Sequence, residues 1–89
     1  MRWDHRFTLE VVDGEHAGRY RMRLTFNDGT RKTVDLFPLL EGPIFAPLRA
    51  PKYFELGRMD RDAGTITWPN GADFAPEALW ELPDVSDEA

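Results

Sequence analysis

Cysteine is absent from the 89-residue chain, which excludes a disulfide framework and a zinc–thiolate centre. Serine occurs once, as Ser86, and histidine twice, as His5 and His16. Nucleophilic catalysis needs an activated Ser, Cys, Thr or Lys beside a base, and so thin an inventory offers no such pair. The opening Met1-Arg2-Trp3-Asp4-His5-Arg6 has no apolar stretch of about 7 to 15 residues of the kind a secretory signal carries, and no run approaches the roughly 18 apolar residues of a membrane span. A cytoplasmic protein is expected, with no membrane partner. Lysine and arginine are missing after Arg61: residues 62–89 carry 7 acids, whereas residues 1–61 hold all 11 basic residues against 9 acids. The net charge of −5 disfavours direct nucleic-acid binding, because phosphate is repelled unless a local basic patch overcomes the long-range field.

Chemical motifs are equally sparse. Neither a P-loop nor a G-x-G-x-x-G cradle occurs, and no H-E-x-x-H pair is present, so no cofactor and no metal are expected. Asp60-Arg61-Asp62 resembles the start of a calcium loop, but Gly64 falls at the fifth position rather than the sixth, which makes the segment a β-turn. No pair of carboxylates is singled out as an acid–base dyad. These absences point to a protein that is not an enzyme.

What is present is a folded composition, 42% apolar with 12% aromatic and 30% charged residues. Residues 7–12 alternate apolar and polar side chains and read as a strand, broken by Asp13-Gly14. The clearest period of two follows: Tyr20, Met22, Leu24 and Phe26 on one side, Arg19, Arg21, Arg23 and Thr25 on the other. Residues 30–36 return as a partner strand. A two-residue Asp28-Gly29 turn would set polar residues against the apolar face, with Leu24 opposite Thr33. A three-residue loop with Gly29 in the left-handed conformation instead pairs Met22 with Val34, Tyr20 with Leu36 and Arg21 with Asp35, so a bulged hairpin is expected.

Prolines at 38, 43, 47 and 51 forbid a long helix or a central strand in the middle of the chain. The apolar Phe37, Leu39, Leu40, Ile44, Phe45 and Leu48 are expected to cover the sheet from short helical turns. Strand-like alternation resumes over residues 53–59, and with residues 65–68 it forms a second hairpin. A short helix is expected over residues 76–82, capped by Asp73 or Ala75 and stopped by Pro83. The fold class is therefore α+β: a mainly antiparallel sheet of about five strands in two hairpins, with short helices. Residues 1–83 form one domain, and residues 84–89 an acidic flexible tail.

Two surfaces are candidates for binding. Arg19, Arg21 and Arg23 would project at intervals of about 6.6 Å, with Arg31 on the neighbouring strand. This row reads first as a solvated face, then as a surface for an acidic protein, and last as a nucleic-acid contact, since no aromatic is interleaved with it for base stacking. Glu77, Glu81 and Asp84 are the corresponding acidic contacts. Trp68 and Phe26 are assigned to the core, and Trp3 to a partly exposed position.

The run Ile66-Thr67-Trp68-Pro69-Asn70-Gly71-Ala72-Asp73-Phe74-Ala75-Pro76-Glu77-Ala78-Leu79, preceded by the Phe26-Asn27-Asp28-Gly29 turn and Val34-Asp35-Leu36, resembles the small bacterial domain of unknown function 2442 family over about residues 11–82. The resemblance implies an α+β fold, no established catalytic residue, and a small protein partner encoded nearby in a toxin–antitoxin-like pair. Some members resemble a sheet domain joined to a DNA-binding helix-turn-helix; this sequence has no such segment after Leu82, so any DNA role would come through a partner. The motif itself reads as a structural corner, in which Trp68 is buried, Pro69-Asn70-Gly71 turns the chain, and Asp73 bonds backbone near Pro76. A ligand site built from Asn70 and Asp73 is the alternative. A homodimer through an exposed sheet edge is also open.

Overall fold

Alternation in residues 20–26 sets the first layer of the structure. The computed structural model describes residues 8–86, so Trp3, His5, Phe7 and the last three positions lie outside the described residues. Strands β1 (Val11–His16), β2 (Arg21–Phe26) and β3 (Arg31–Asp35) form an antiparallel meander in that order. Met22, Leu24 and Phe26 are buried, each stabilising the fold by roughly 1.5–3 kcal/mol relative to an exposed side chain. The β2–β3 register is the bulged hairpin: Met22 faces Val34 and Arg21 faces Asp35. Phe26 N–H donates to the Thr30 carbonyl at 2.8 Å, and Gly29 sits at φ 90°.

A second antiparallel pair, β4 (Arg58–Asp60) and β5 (Thr65–Thr67), forms its own two-stranded sheet. The five strands are thus divided three and two. Between the sheets run two 3-10 turns, Phe37–Leu39 and Ala46–Arg49, and the single-turn helix α1 (Pro51–Phe54). Helix α2 (Pro76–Trp80) closes the open side of the core. One buried cluster joins Val11, Leu24 and Val34 of the first sheet to Ile66 of the second, Leu48 and Phe54 of the middle segment, and Leu79 of α2.

Four expectations change. Strand β1 starts at Val11 and runs through Asp13-Gly14 instead of ending there. A register shift between Val11 and Asp13 turns Val12 outward, as a bulge does. Gly14 then faces the core opposite Leu24, where a Cβ would lie 2.5 Å from Ile66 Cδ1. The glycine marks a close approach between the sheets, not a turn. Residues 53–59 are not one strand: Pro51 opens a helical turn after the extended Ala50, and pairing begins only at Arg58. Of the two expected caps, Ala75 is the N-cap of α2, with no side-chain cap bond, and Asp73 is not; Asp73 forms instead an isolated bridge with Thr67.

The fourth change concerns the chain end, expected to be loose from Asp84. Val85 is buried and donates its N–H to the Thr33 carbonyl at 2.7 Å, while Asp84 Oδ1 accepts the Thr33 N–H at 3.2 Å and the Ser86 N–H at 3.0 Å. Residues 84–86 therefore strap the free edge of β3. Lys32 supports the same corner by donating to the Trp80 carbonyl at the end of α2, 2.7 Å away, a favourable placement for a cation. Burial holds its pKa below the usual lysine value, and the nearby Asp84 partly offsets this.

Candidate functional site

Core-facing alternation in β2 leaves Arg21 and Arg23 on the outer face of the first sheet, and register decides what they meet there. Arg23 lies opposite Glu15 of β1 and forms an ion pair with it; both side chains are well exposed. Arg21 lies opposite Asp35 of β3. Arg31 lies across from Thr25, which in turn lies across from Asp13. Three guanidinium groups thus share the outer face with three carboxylates. An ion pair this exposed adds little to stability, but the alternation of sign removes the positive track that successive phosphates would need.

Arg19 does not continue the row. It occupies the β1–β2 turn at φ 45°, alone among the described non-glycine residues in having positive φ. The turn is held on both sides: Ala17 N–H donates to the Arg21 carbonyl and Arg21 N–H to the Gly18 carbonyl, each at 2.8 Å. His16 Nε2 donates to the Arg19 carbonyl, also at 2.8 Å. Left-handed backbone at a residue other than Gly or Asn is uncommon and strained. No ion-pair or hydrogen-bond partner holds the Arg19 guanidinium among the described residues.

Beside this turn opens a cleft of about 490 Å³ lined by Ala17, Gly18, Arg19, Tyr20, Arg21, Asp35 and Phe37. Tyr20 forms its inner wall, with the hydroxyl donating to the Arg49 carbonyl and the ring 5.4 Å from Phe54. Phe37 lies 4.9 Å from Tyr20, tilted by 48°, and remains 51% exposed. Among the described residues the lining therefore brings two guanidinium groups and one carboxylate next to a half-open aromatic.

The remaining sequence-predicted residues lie elsewhere. Glu77 and Glu81 are exposed on and just after α2, on the inner side of the sheet where Trp80 packs edge-on to Phe26. Asp84 belongs to the β3 strap. Asp28 accepts the Thr30 N–H within the hairpin loop. Trp68 is buried with its indole N–H on the Phe54 carbonyl at 2.8 Å. Gly71 N–H closes the Pro69-Asn70 turn onto the Trp68 carbonyl at 2.9 Å. Asn70 is occupied at both ends, donating to the Ile44 carbonyl and accepting the Ala72 N–H, each at 3.0 Å. The stacked Phe45 and Phe74 rings, 4.7 Å apart, fasten the Pro-rich stretch to this corner. The polar groups of Trp68, Asn70 and Gly71 are thus engaged in holding the corner.

The family model for proteins of unknown function designated DUF2442 matches residues 11–82, most of the chain. The chain belongs to the DUF2442 family. Neither curated proteins nor solved structures gave a match. The DUF2442 match takes in the cleft and the Trp68 corner, and it ends before the Asp84–Ser86 strap. Phe37 and Tyr20 are the site residues that the sequence reading assigned to covering or core roles. A signal was available for Phe37: continuing the β3 alternation past Val34 and Leu36 inward places Asp35 and Phe37 outward.

Proposed function

We propose that this DUF2442 protein is a non-enzymatic protein-interaction module of the bacterial cytoplasm, the antitoxin-like or accessory subunit of a small two-protein system. It meets its partner at the cleft beside the β1–β2 turn. The observation that carries this reading is the local break in charge balance. Elsewhere on the outer face guanidinium and carboxylate groups alternate, whereas at the cleft rim the Arg19 guanidinium has no such partner among the described residues, beside the exposed Phe37. Guanidinium forks and an open aromatic face are the groups that anchor protein interfaces. They bind and orient, and the one hydroxyl in the lining is committed to a backbone carbonyl.

Co-expression with the product of the adjacent small open reading frame tests the proposal. A stable complex that survives size exclusion at micromolar concentration is expected, with Phe37 protected from solvent. Two proteins that purify apart would overturn it.

A further inference from the structure

The cleft carries information about what would fill it, an inference that rests on the interaction-module reading and deepens it. The whole chain has a net charge of −5, so an acidic partner is repelled at long range. Among the described lining residues Arg21 lies opposite Asp35, and the Arg19 guanidinium has no partner. A lone guanidinium suits a single carboxylate; a dianionic phosphate would be opposed by Asp35. A volume of about 490 Å³ falls within the roughly 300–1,000 Å³ of ligand clefts. Beyond it the balanced outer face offers no continuing line of cations, so a nucleic-acid strand would gain one contact and then lose its track.

The turn adds a second, independent mark. Arginine at φ 45° keeps a strained backbone that glycine would adopt freely. Three hydrogen bonds from Ala17, Arg21 and His16 hold it there. The turn fixes the backbone beneath a guanidinium that has no partner among the described residues, so only side-chain ordering is left to oppose binding.

We infer that the cleft receives a short extended acidic segment of a partner protein, one carboxylate meeting the Arg19 guanidinium and an adjacent aromatic or large aliphatic side chain packing on Phe37. Charge-assisted bonds from arginine to a carboxylate supply direction, and the Phe37 face supplies an apolar anchor. Repulsion by the acidic residues after Arg61 disfavours such a segment on that part of the surface.

Fluorescence anisotropy of a labelled acetyl-Glu-Asp-Phe-Asp-Glu amide with the full chain tests this. Saturable binding that weakens with added salt is expected, together with loss for the isosteric Gln-Asn-Phe-Asn-Gln peptide. Arg19→Gly should weaken binding by about tenfold, the effect of one lost charge-assisted contact, while its urea midpoint stays equal or rises because the backbone strain is relieved. Phe37→Ala should weaken binding and leave the salt dependence in place. Unchanged affinity in Arg19→Gly, or equal competition by a single-stranded oligonucleotide, would overturn the inference. If the co-expressed partner binds and Arg19→Gly leaves that complex intact, the module reading stands and this assignment of the cleft fails.

Discussion

Gly14 sets the approach of the two sheets, and Gly57 sets the approach of the chain to the Trp68 ring at the end of the β4–β5 pair. A Cβ built on Gly57 would lie 2.7 Å from the Trp68 ring, whereas one on Gly14 would lie 2.5 Å from the terminal methyl of Ile66. Distance alone ranks Gly14 as the worse site, but the freedom of the struck atom reverses the order. The Ile66 tip can rotate away. The indole cannot move without stretching its 2.8 Å bond to the Phe54 carbonyl and disturbing the rings of Phe54 and Phe74 at 5.5 and 5.7 Å. Overpacking costs typically about 1–3 kcal/mol. Gly57→Ala should therefore fall near the upper end and Gly14→Ala near about 1 kcal/mol, read as shifts of the urea midpoint at constant slope. Equal stability of the two variants would refute the role given to the Trp68 anchor. The same residue pair shows why Asp13-Gly14 misleads as a sequence signal: the dipeptide is a common turn former, and only the approach of Ile66 reveals the glycine as a spacer inside a strand.

At the scale of elements, β3 is the exposed margin of the first sheet, and its central residue is occupied by the chain itself. Thr33 gives its N–H to Asp84 and its carbonyl to Val85, so a foreign strand finds no free pair there. Truncation after Pro83 should open this edge and promote concentration-dependent self-association by sedimentation; a truncated chain that stays at the full chain's size would show that the strap does not guard it. The strap also has a pH signature. Hydrogen bonds from Ser86, then from the Thr33 N–H, with the Lys32 charge a smaller contribution, hold the Asp84 carboxyl below the usual aspartate range. A depressed folded value means that the contribution is present above the unfolded pKa and is lost as pH falls through the folded one. Asp84→Asn should flatten the acid side of the stability–pH curve and speed exchange of the Val85 amide already at neutral pH. An acid limb identical to that of the parent chain would remove Asp84 from the account. The strap was illegible in the sequence because six terminal residues rich in acids match the pattern of a solvated tail; the β3 edge that recruits them exists only after the hairpin has formed. The hairpin itself was legible, since alternation over residues 20–26 and the position of Gly29 together select the register that sets Met22 opposite Val34 and Arg21 opposite Asp35.

For the whole molecule, the division of five strands into three and two raises the question whether the sheets are one folding unit. Local pattern identified both hairpins but could not place them, because their union depends on long-range contacts. The Val11 N–H bonds the Gly64 carbonyl at 2.9 Å, and Ile66 fills the space above Gly14. The cleft was half legible for the same reason: alternation found Arg21, but the left-handed Arg19 and the outward Phe37 are set by a turn and a helical break. Trp68 reports on the second sheet through its bond to the Phe54 carbonyl, and Trp80 reports on the first through Phe26, 5.0 Å away. Their side chains belong to or pack against a single apolar cluster. If that cluster is the cooperative unit, tryptophan fluorescence and far-ultraviolet circular dichroism should lose signal at one urea midpoint, and Gly57→Ala should move both by the same amount. Separate midpoints, with only one of the two transitions displaced by Gly57→Ala, would mean that the cluster is not one cooperative unit and that the two sheets open apart.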